Sequence, residues 1–305
     1  MTRVTDLTAH STRMHYVQAA QSRQQDLQVQ ISSGKKSDTY SGVASEASRL
    51  VSLKGEHTRA SQYVENIGVV DLRLQKMESS VSTVFDIASR LRTLLVNAQN
   101  GDNAKELALA QNAGNMLDEV AGLLNARESG RYLFSGTRTD AAPIDLEALP
   151  VDGDFTDTAD TFYYKGDSTR LTIRTEETAT VEYGVTADER GFEKLIRALK
   201  ITETTNLDNP DQAHARLETA IDLVNEALES IPDIRGRIGN ARSSLEIARS
   251  RHDEFLLHAE QAIGDIENVD IAEAITRLTG EQVTLNASYA AISRLQQISL
   301  VNYLR

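Results

Sequence analysis

The stretch IAEAITRLTGEQVTLNASYAAISRLQQISLVNY, residues 271–303, decides the fold class. Ile271, Ile275, Leu278, Gln282, Leu285, Tyr289, Ile292, Gln296, Ser299 and Tyr303 follow one another at alternating spacings of four and three. That alternation places them on one stripe of an α-helix and predicts a coiled-coil seam over the whole stretch. Gln282, Gln296 and Ser299 interrupt the stripe with polar positions. All four prolines, Pro143, Pro150, Pro210 and Pro232, lie in the middle of the chain, so residues 1–142 and 233–305 can form long helices.

The other end has a thinner stripe. Val17, Ala20, Gln24, Leu27 and Ile31 recur at the same spacing in a helix predicted over about Thr8 to Ile31, with His10 and Arg13 extending the line outward. Ordering a helix costs ~1–2 kcal/mol per residue, and so little apolar area cannot offset it. This helix needs partners. Ser32-Ser33-Gly34-Lys35-Lys36 then supplies a stop, with glycine just past the last periodic residue.

A second helix starts near Val43 and settles into a seam of Ile67, Val70, Leu74, Met77, Val81, Val84, Ala88, Leu91, Leu95 and Ala98. Asn100-Gly101-Asp102 reads as a turn. Leu107, Ala110, Gly114, Leu117, Ala121 and Leu124 then mark a return helix, which completes an αα-hairpin. From Arg131 the character changes. Tyr132 to Thr137, Phe162-Tyr163-Tyr164, Leu171 to Thr175 and Thr178 to Val185 have strand and turn character. Helices resume at Asn209-Pro210, a cap followed by proline at the first helical position, with Leu217, Ile221, Val224 and Leu228 as the stripe. A longer helix is predicted after Pro232, from Ile234 to Ile266. Its phase does not carry into the seam at Ile271, so a joint is expected at Gly264 to Asp270.

The predicted fold is mainly α: a long antiparallel helical bundle or coiled coil formed by the N- and C-terminal arms, with a small β-rich domain inserted in the middle. The expected division is 1–34 with 270–305 as terminal arms, 35–138 with 191–269 as a helical bundle, and 139–190 as the insert.

Composition narrows the function. The chain has 305 residues, 45 acidic and 32 basic, a formal net charge of −13. Nucleic-acid binding needs a basic face to displace counterions, so no nucleic-acid partner is expected. The chain has no cysteine, which excludes disulfides, thiolate metal sites and thiol nucleophiles. No basic start with an apolar core precedes a cleavage site, and no stretch approaches the ~20 apolar residues of a span, so neither a cleaved signal nor membrane insertion is expected.

No catalytic, cofactor-binding or metal-ligating residue is assigned. His252 and His258 lie near Glu254 and Glu260, but not at zinc-helix spacing, and His252 falls on a seam where packing explains it. Phosphate loops and nucleophile elbows are missing. Arg235-Gly236-Arg237 could hold a phosphate at a helix start, but two arginines on an acidic bundle read more simply as salt-bridge partners. An enzyme on the insert would have to use groups such as Asp167 or Arg174, which converge with no other polar set in the sequence.

Several segments resemble one family. Ile31-Ser32-Ser33-Gly34-Lys35-Lys36 resembles the turn after the first terminal helix of the bacterial flagellin family, which includes hook-associated proteins. Tyr63-Val64-Glu65-Asn66-Ile67 and Met77-Glu78 match its next helix. Gly130-Arg131-Tyr132-Leu133-Phe134-Ser135-Gly136-Thr137 is similar to the segment leading into its variable domain. Ala287-Ser288-Tyr289 and the run Ser299 to Leu304 are nearer its hook–filament junction subunits than its filament subunits, which more commonly carry a leucine-rich run there. Where the family usually has an Asp-Asp-Pro-type or Asp-Asp-Ala-type segment, this chain has Asp38-Thr39-Tyr40-Ser41-Gly42-Val43.

The resemblance implies a non-enzymatic structural protein of the bacterial flagellum, a junction subunit assembled by coiled-coil packing of its terminal helices. Filament subunit is the alternative, and a secreted coiled-coil adaptor a third. It further implies export without a cleaved signal, an extracellular place at the hook–filament junction, and a homo-oligomeric ring. The implied neighbours are a hook-side junction protein and the filament, with an export chaperone on the C-terminal arm. The assembly residues are then Val17, Ala20, Leu27, Ile31, Ile271, Ile275, Leu278, Leu285, Tyr289, Ile292 and Tyr303. The family turns fall on Gly34, Lys35, Gly130, Tyr132, Phe134 and Gly136.

Overall fold

A computed structural model of the chain describes residues 2–99, 108–149 and 161–303, with side chains over 11–99, 108–149 and 161–294. The Asn100-Gly101-Asp102 turn, Leu107, Pro150 and the side chains of Gln296, Ser299 and Tyr303 lie outside it. The described elements are α1 (Thr2–Ser33), α2 (Ala47–Gln99), α3 (Leu109–Leu124), β1 (Arg127–Glu128), β2 (Arg131–Tyr132), β3 (Thr172–Arg174), β4 (Thr180–Glu182), α4 (Arg190–Glu203), α5 (Pro210–Glu267) and α6 (Ile271–Tyr303). Long helices with small antiparallel sheets are the mainly-α fold that the spacing predicts. The elements form two compact units, Met1–Arg59 with Phe255–Arg305, and Ala60–Glu254.

The Ala60–Glu254 unit is the body. The α2 seam buries Ile67, Leu74, Met77, Val81, Val84, Leu91 and Leu95, so the 4-3 spacing in the sequence becomes a continuous packed stripe. Val120 and Leu124 of α3, and Val224, Ile231, Ile238 and Leu245 of α5, belong to the same cluster. Arg242 of α5 donates to Asp71 and Glu78 of α2, at 2.9 and 2.7 Å, and fixes the register between the two helices.

Two features depart from the sequence reading. Pro232 was expected to separate two helices, yet α5 runs through it. A proline inside a helix removes one hydrogen bond and costs about 3 kcal/mol. Here its ring is exposed while Ile231 and Ile234 are buried on either side, so packing of the apolar stripe holds the helix together. The second departure is α4, which precedes the helix expected at Pro210. Phe192, Leu195, Ile196 and Leu199 carry its pattern, but Glu193, Lys194 and Arg197 are buried as well. Glu193 and Arg197 pair at 3.0 Å one turn apart, which keeps either charge from being buried alone.

The β-rich part of the body is small. β1 and β2 form a hairpin in which Arg127 faces Tyr132 and Glu128 faces Arg131. Its two turn residues, Ser129 and Gly130, have φ of 51° and 78°, the left-handed pair that a tight hairpin turn requires. β3 and β4 pair antiparallel with Ile173 opposite Val181. The strands are shorter than the stretches read from sequence, and Phe162 to Tyr164 contributes only a bridge, Ile144 with Tyr164.

In the Met1–Arg59 and Phe255–Arg305 unit, α1 and α6 lie antiparallel, and α5 ends at Glu267 before α6 begins at Ile271. The phase slip expected at Gly264 to Asp270 is this joint. Asp270 caps α6, its carboxylate accepting from the amides of Ala272 and Glu273 at 2.9 and 3.1 Å. Among the described residues, no helix is long and apolar enough to cross a membrane.

Candidate assembly site

The site begins at the turn after α1. Gly34 closes that helix with φ of +71°, its amide donating to the Gln30 carbonyl at 2.9 Å, a left-handed cap that glycine adopts without a side-chain penalty. The following residues then pair with the α5–α6 joint. The Lys36 amide donates to the Glu267 carbonyl at 2.7 Å, the Val269 amide to the Gly34 carbonyl at 3.0 Å, and Lys35 and Asn268 form a bridge. The Glu267 side chain contacts Lys54 and lies 3.6 Å from Lys35. These contacts, the one to Lys54 first, hold its carboxyl below the usual range. Leu50, Ala259, Ile266 and Ala274 are buried in this unit, so the base of the arms is anchored.

Further along the arms the packing thins. Val17, Ala20 and Leu285 form the buried cluster, with Ile292 partly buried against it. Leu27 and Ile31 of α1 and Leu278 of α6 are half-buried. Polar contacts supply much of the rest. Arg23 donates to both oxygens of Glu281, at 2.8 and 3.2 Å, and Gln21 donates to the Tyr289 hydroxyl at 2.6 Å. The bidentate bond raises the Arg23 pKa and lowers that of Glu281. Both groups are solvated, so the pair fixes register more than it stabilises.

The buried and half-buried positions of α6 are Ala274, Leu278, Glu281, Leu285, Ser288 and Ile292, again spaced four and three. This set shares Leu278, Leu285 and Ile292 with the apolar stripe seen in the sequence. Ala274, Glu281 and Ser288 carry no hydrophobic signal, so the sequence could not separate this face from its neighbour. Ile271, Ile275 and Tyr289, the other half of the sequence stripe, are 49%, 49% and 45% exposed. On α1 the line of buried Val17 and Ala20 and half-buried Arg13, Gln24, Leu27 and Ile31 follows the sequence stripe, whereas Met14, Tyr16 and Val29 are exposed. A single chain therefore leaves an apolar stripe beside its intrachain seam.

The second group of motif residues pins the β-rich part of the body. Gly136 has φ of +67°, and a side chain there would stand 2.1 Å from the Asp167 carbonyl oxygen. The Asp167 carboxylate accepts from the Thr137 hydroxyl at 2.5 Å and from the amides of Thr137, Arg138 and Thr169 at 3.0, 3.1 and 2.9 Å. Those bonds, led by Thr137, push its pKa well down and give Asp167 a structural role. Phe134 is buried edge-on to Phe192, centroids 6.2 Å apart. The guanidinium of Arg127 lies 4.0 Å above the Tyr132 ring.

Other candidates resolve into packing. His252 stacks on Tyr63 and donates from Nε2 to the Thr175 carbonyl at 2.7 Å. Arg237 sits inside α5, not at a helix start, and pairs with Glu189 at 2.5 Å. Arg174 is exposed. Among the described residues, no group of three or more histidine or acidic side chains could hold a metal ion.

Comparison with known proteins gives two family matches that together take in well over half of the chain. "Bacterial flagellin N-terminal helical region" matches residues 4–139, and "Bacterial flagellin C-terminal helical region" matches residues 221–304. The chain is 24% identical over 288 residues to flagellar hook-associated protein 3 of Escherichia coli K12, covering 89% of this chain and 90% of that one. It is 23% identical over 291 residues to flagellin of Bacillus subtilis 168, covering 92% and 90%. In fold it is similar to a solved structure of a flagellar hook-associated protein from Vibrio parahaemolyticus, with a TM-score of 0.61 at 17% identity, covering 74% of this chain and all of that one.

Proposed function

Because this chain belongs to the bacterial flagellin family, we propose that it is a structural subunit of the flagellum that links the hook to the filament, assembling through α1 and α6. The observation that carries this reading is the arm pair itself. It has an anchored base, a sparse intrachain seam and an exposed stripe of Ile271, Ile275 and Tyr289 beside that seam. Such arms gain most of their order when neighbouring copies cover the stripe, which keeps free subunits from polymerising early.

The likeness to hook-associated protein 3 supports the junction role. On this reading the subunits form a ring outside the cell, contact a hook-side junction protein and the filament, and leave the cell without a cleaved signal. A chaperone covers the C-terminal arm before assembly. The arms are 1–34 and 270–305, the bundle 35–138 and 191–269, and the insert 139–190. The assembly residues are those of the two stripes, with Gly34 and Lys35 at the turn.

The likeness to Bacillus subtilis flagellin favours a second reading, a filament subunit. Electron microscopy of cells lacking this gene separates the two. Intact hooks without filaments, with filament protein shed into the medium, support the junction role. Missing hooks, or hooks carrying normal or merely shortened filaments, contradict it.

A further inference from the structure

A small cavity of 130 Å³ lies in the body beneath the β1–β2 hairpin. Arg73 and Met77, one turn apart on α2, form one wall and Arg131 and Tyr132 of β2 another, with Thr137 and Tyr183 among the rest of the lining. We propose that this cavity binds a compact oxyanion through Arg73 and Arg131.

A guanidinium carries five donors in a planar fork and matches carboxylate and phosphate oxygens. The Nε of Arg73 is buried with no hydrogen-bond partner among the described protein groups. Its Nη1 reaches only the Tyr183 hydroxyl, at 3.5 Å, the outer limit of a hydrogen bond. Proteins seldom leave such donors unpaired.

The surroundings favour an anion. In a chain whose net charge is −13, Arg73 and Lys76 both lie near Glu128, which faces Arg131 across the hairpin, and Arg127 lies over the Tyr132 ring. Two carboxylates are close: Glu128, which Lys76 first and Arg73 as well hold below the usual carboxylate range, and Asp167, which is bonded to Thr137 of the lining. Arg127 donates to the Tyr132 oxygen, which leaves the phenol proton free to be donated in turn. The cavity has room for phosphate or a carboxylate. Met77, Leu133 and Leu171 give the lining an apolar part that strengthens charge-assisted bonds.

Two sources share this chemistry: dissolved phosphate, and the side-chain carboxylate of a neighbouring subunit. The test is the melting temperature and the arginine Nε–H NMR signals of the full chain, titrated with phosphate, acetate or chloride at constant ionic strength. Phosphate should raise the melting temperature and shift the Arg73 Nε signal, and chloride should do neither. R73Q should weaken the apparent phosphate affinity at least about tenfold. R131Q, a change at an exposed residue, should also weaken it and serves if R73Q does not fold. A response to phosphate alone assigns the site to the free ion; one that includes acetate assigns it to a carboxylate. If neither anion acts beyond chloride on the wild type, or if R131Q and a folded R73Q respond as the wild type does, the proposal is overturned.

Discussion

The arm pair and the body are both made of long helices with four-three stripes, but they use those stripes differently. In the body, apolar side chains from α2, α3, α4, α5 and the β segments join one cluster from Ile67 to Ala248. In the arm pair, the described side chains form a cluster of Val17, Ala20 and Leu285. Burying a valine or leucine contributes about 1.5–3 kcal/mol, while ordering each residue costs about 1–2 kcal/mol. A dense core meets that cost within the chain. A sparse seam with exposed Ile271, Ile275 and Tyr289 meets it only when other surfaces add burial. Helical periodicity alone therefore does not distinguish a helix that folds in isolation from one that folds on assembly; the number of buried apolar positions per turn does.

The largest expected effect tests the body. Phe192→Ala removes a ring buried in α4 against Phe134 and should lower the unfolding free energy by about 3–5 kcal/mol in urea titrations. A loss below about 1 kcal/mol would mean that α4 is not the centre of the body. Gly136→Ala should follow at about 2 kcal/mol or more, since it combines a left-handed backbone with an overlap against the Asp167 carbonyl. Calorimetric melting of this variant measures it, and an unchanged midpoint would show that the turn can move.

Much of this contrast was legible in the sequence. The thin first stripe, the stop at Gly34, the α2 seam and the joint before Ile271 all follow from spacing and cap residues. The body's centre was harder to see. α4 buries Glu193, Lys194 and Arg197 beside its apolar positions, so its polarity conceals its burial until its partners are known. Pro232 reads as a break because the local penalty is visible and the packing that offsets it is not. On α6 the stripe of apolar residues lies partly beside the covered face, because Ala274, Glu281 and Ser288 occupy that face and give no hydrophobic signal. The cavity beside Arg73 draws on residues from four separate segments, and no linear motif announces it.

Smaller effects are expected in the arms. Leu285→Ala would cost about 2–5 kcal/mol in a well-packed core, but in the isolated chain it should change the global urea midpoint by less than about 1 kcal/mol. It should also weaken assembly, measured as the subunit concentration needed to polymerise. A core-sized loss in the free chain would erase the distinction between the two regions.

The smallest effect is electrostatic. The Glu267 pKa is lowered in the folded chain, so its contribution is present above the ordinary carboxyl value of 4.5 and is lost as pH falls through the lower folded value. Amides at the Gly34 turn should lose protection in that acid window, after correction for intrinsic exchange rates. Glu267→Gln should flatten the dependence. Equal pH profiles for the two proteins would remove Glu267 from the anchoring of the arms.

Native-state hydrogen exchange on the dilute, unassembled chain tests the central claim most directly. The account predicts that the amides of Leu27 and Leu285 exchange by local opening far faster than those of Leu91 and Val224, which should open only with the whole body. Protection at Leu27 and Leu285 equal to that at Leu91 and Val224 would contradict it, because the arms would then be as firmly folded in isolation as the body.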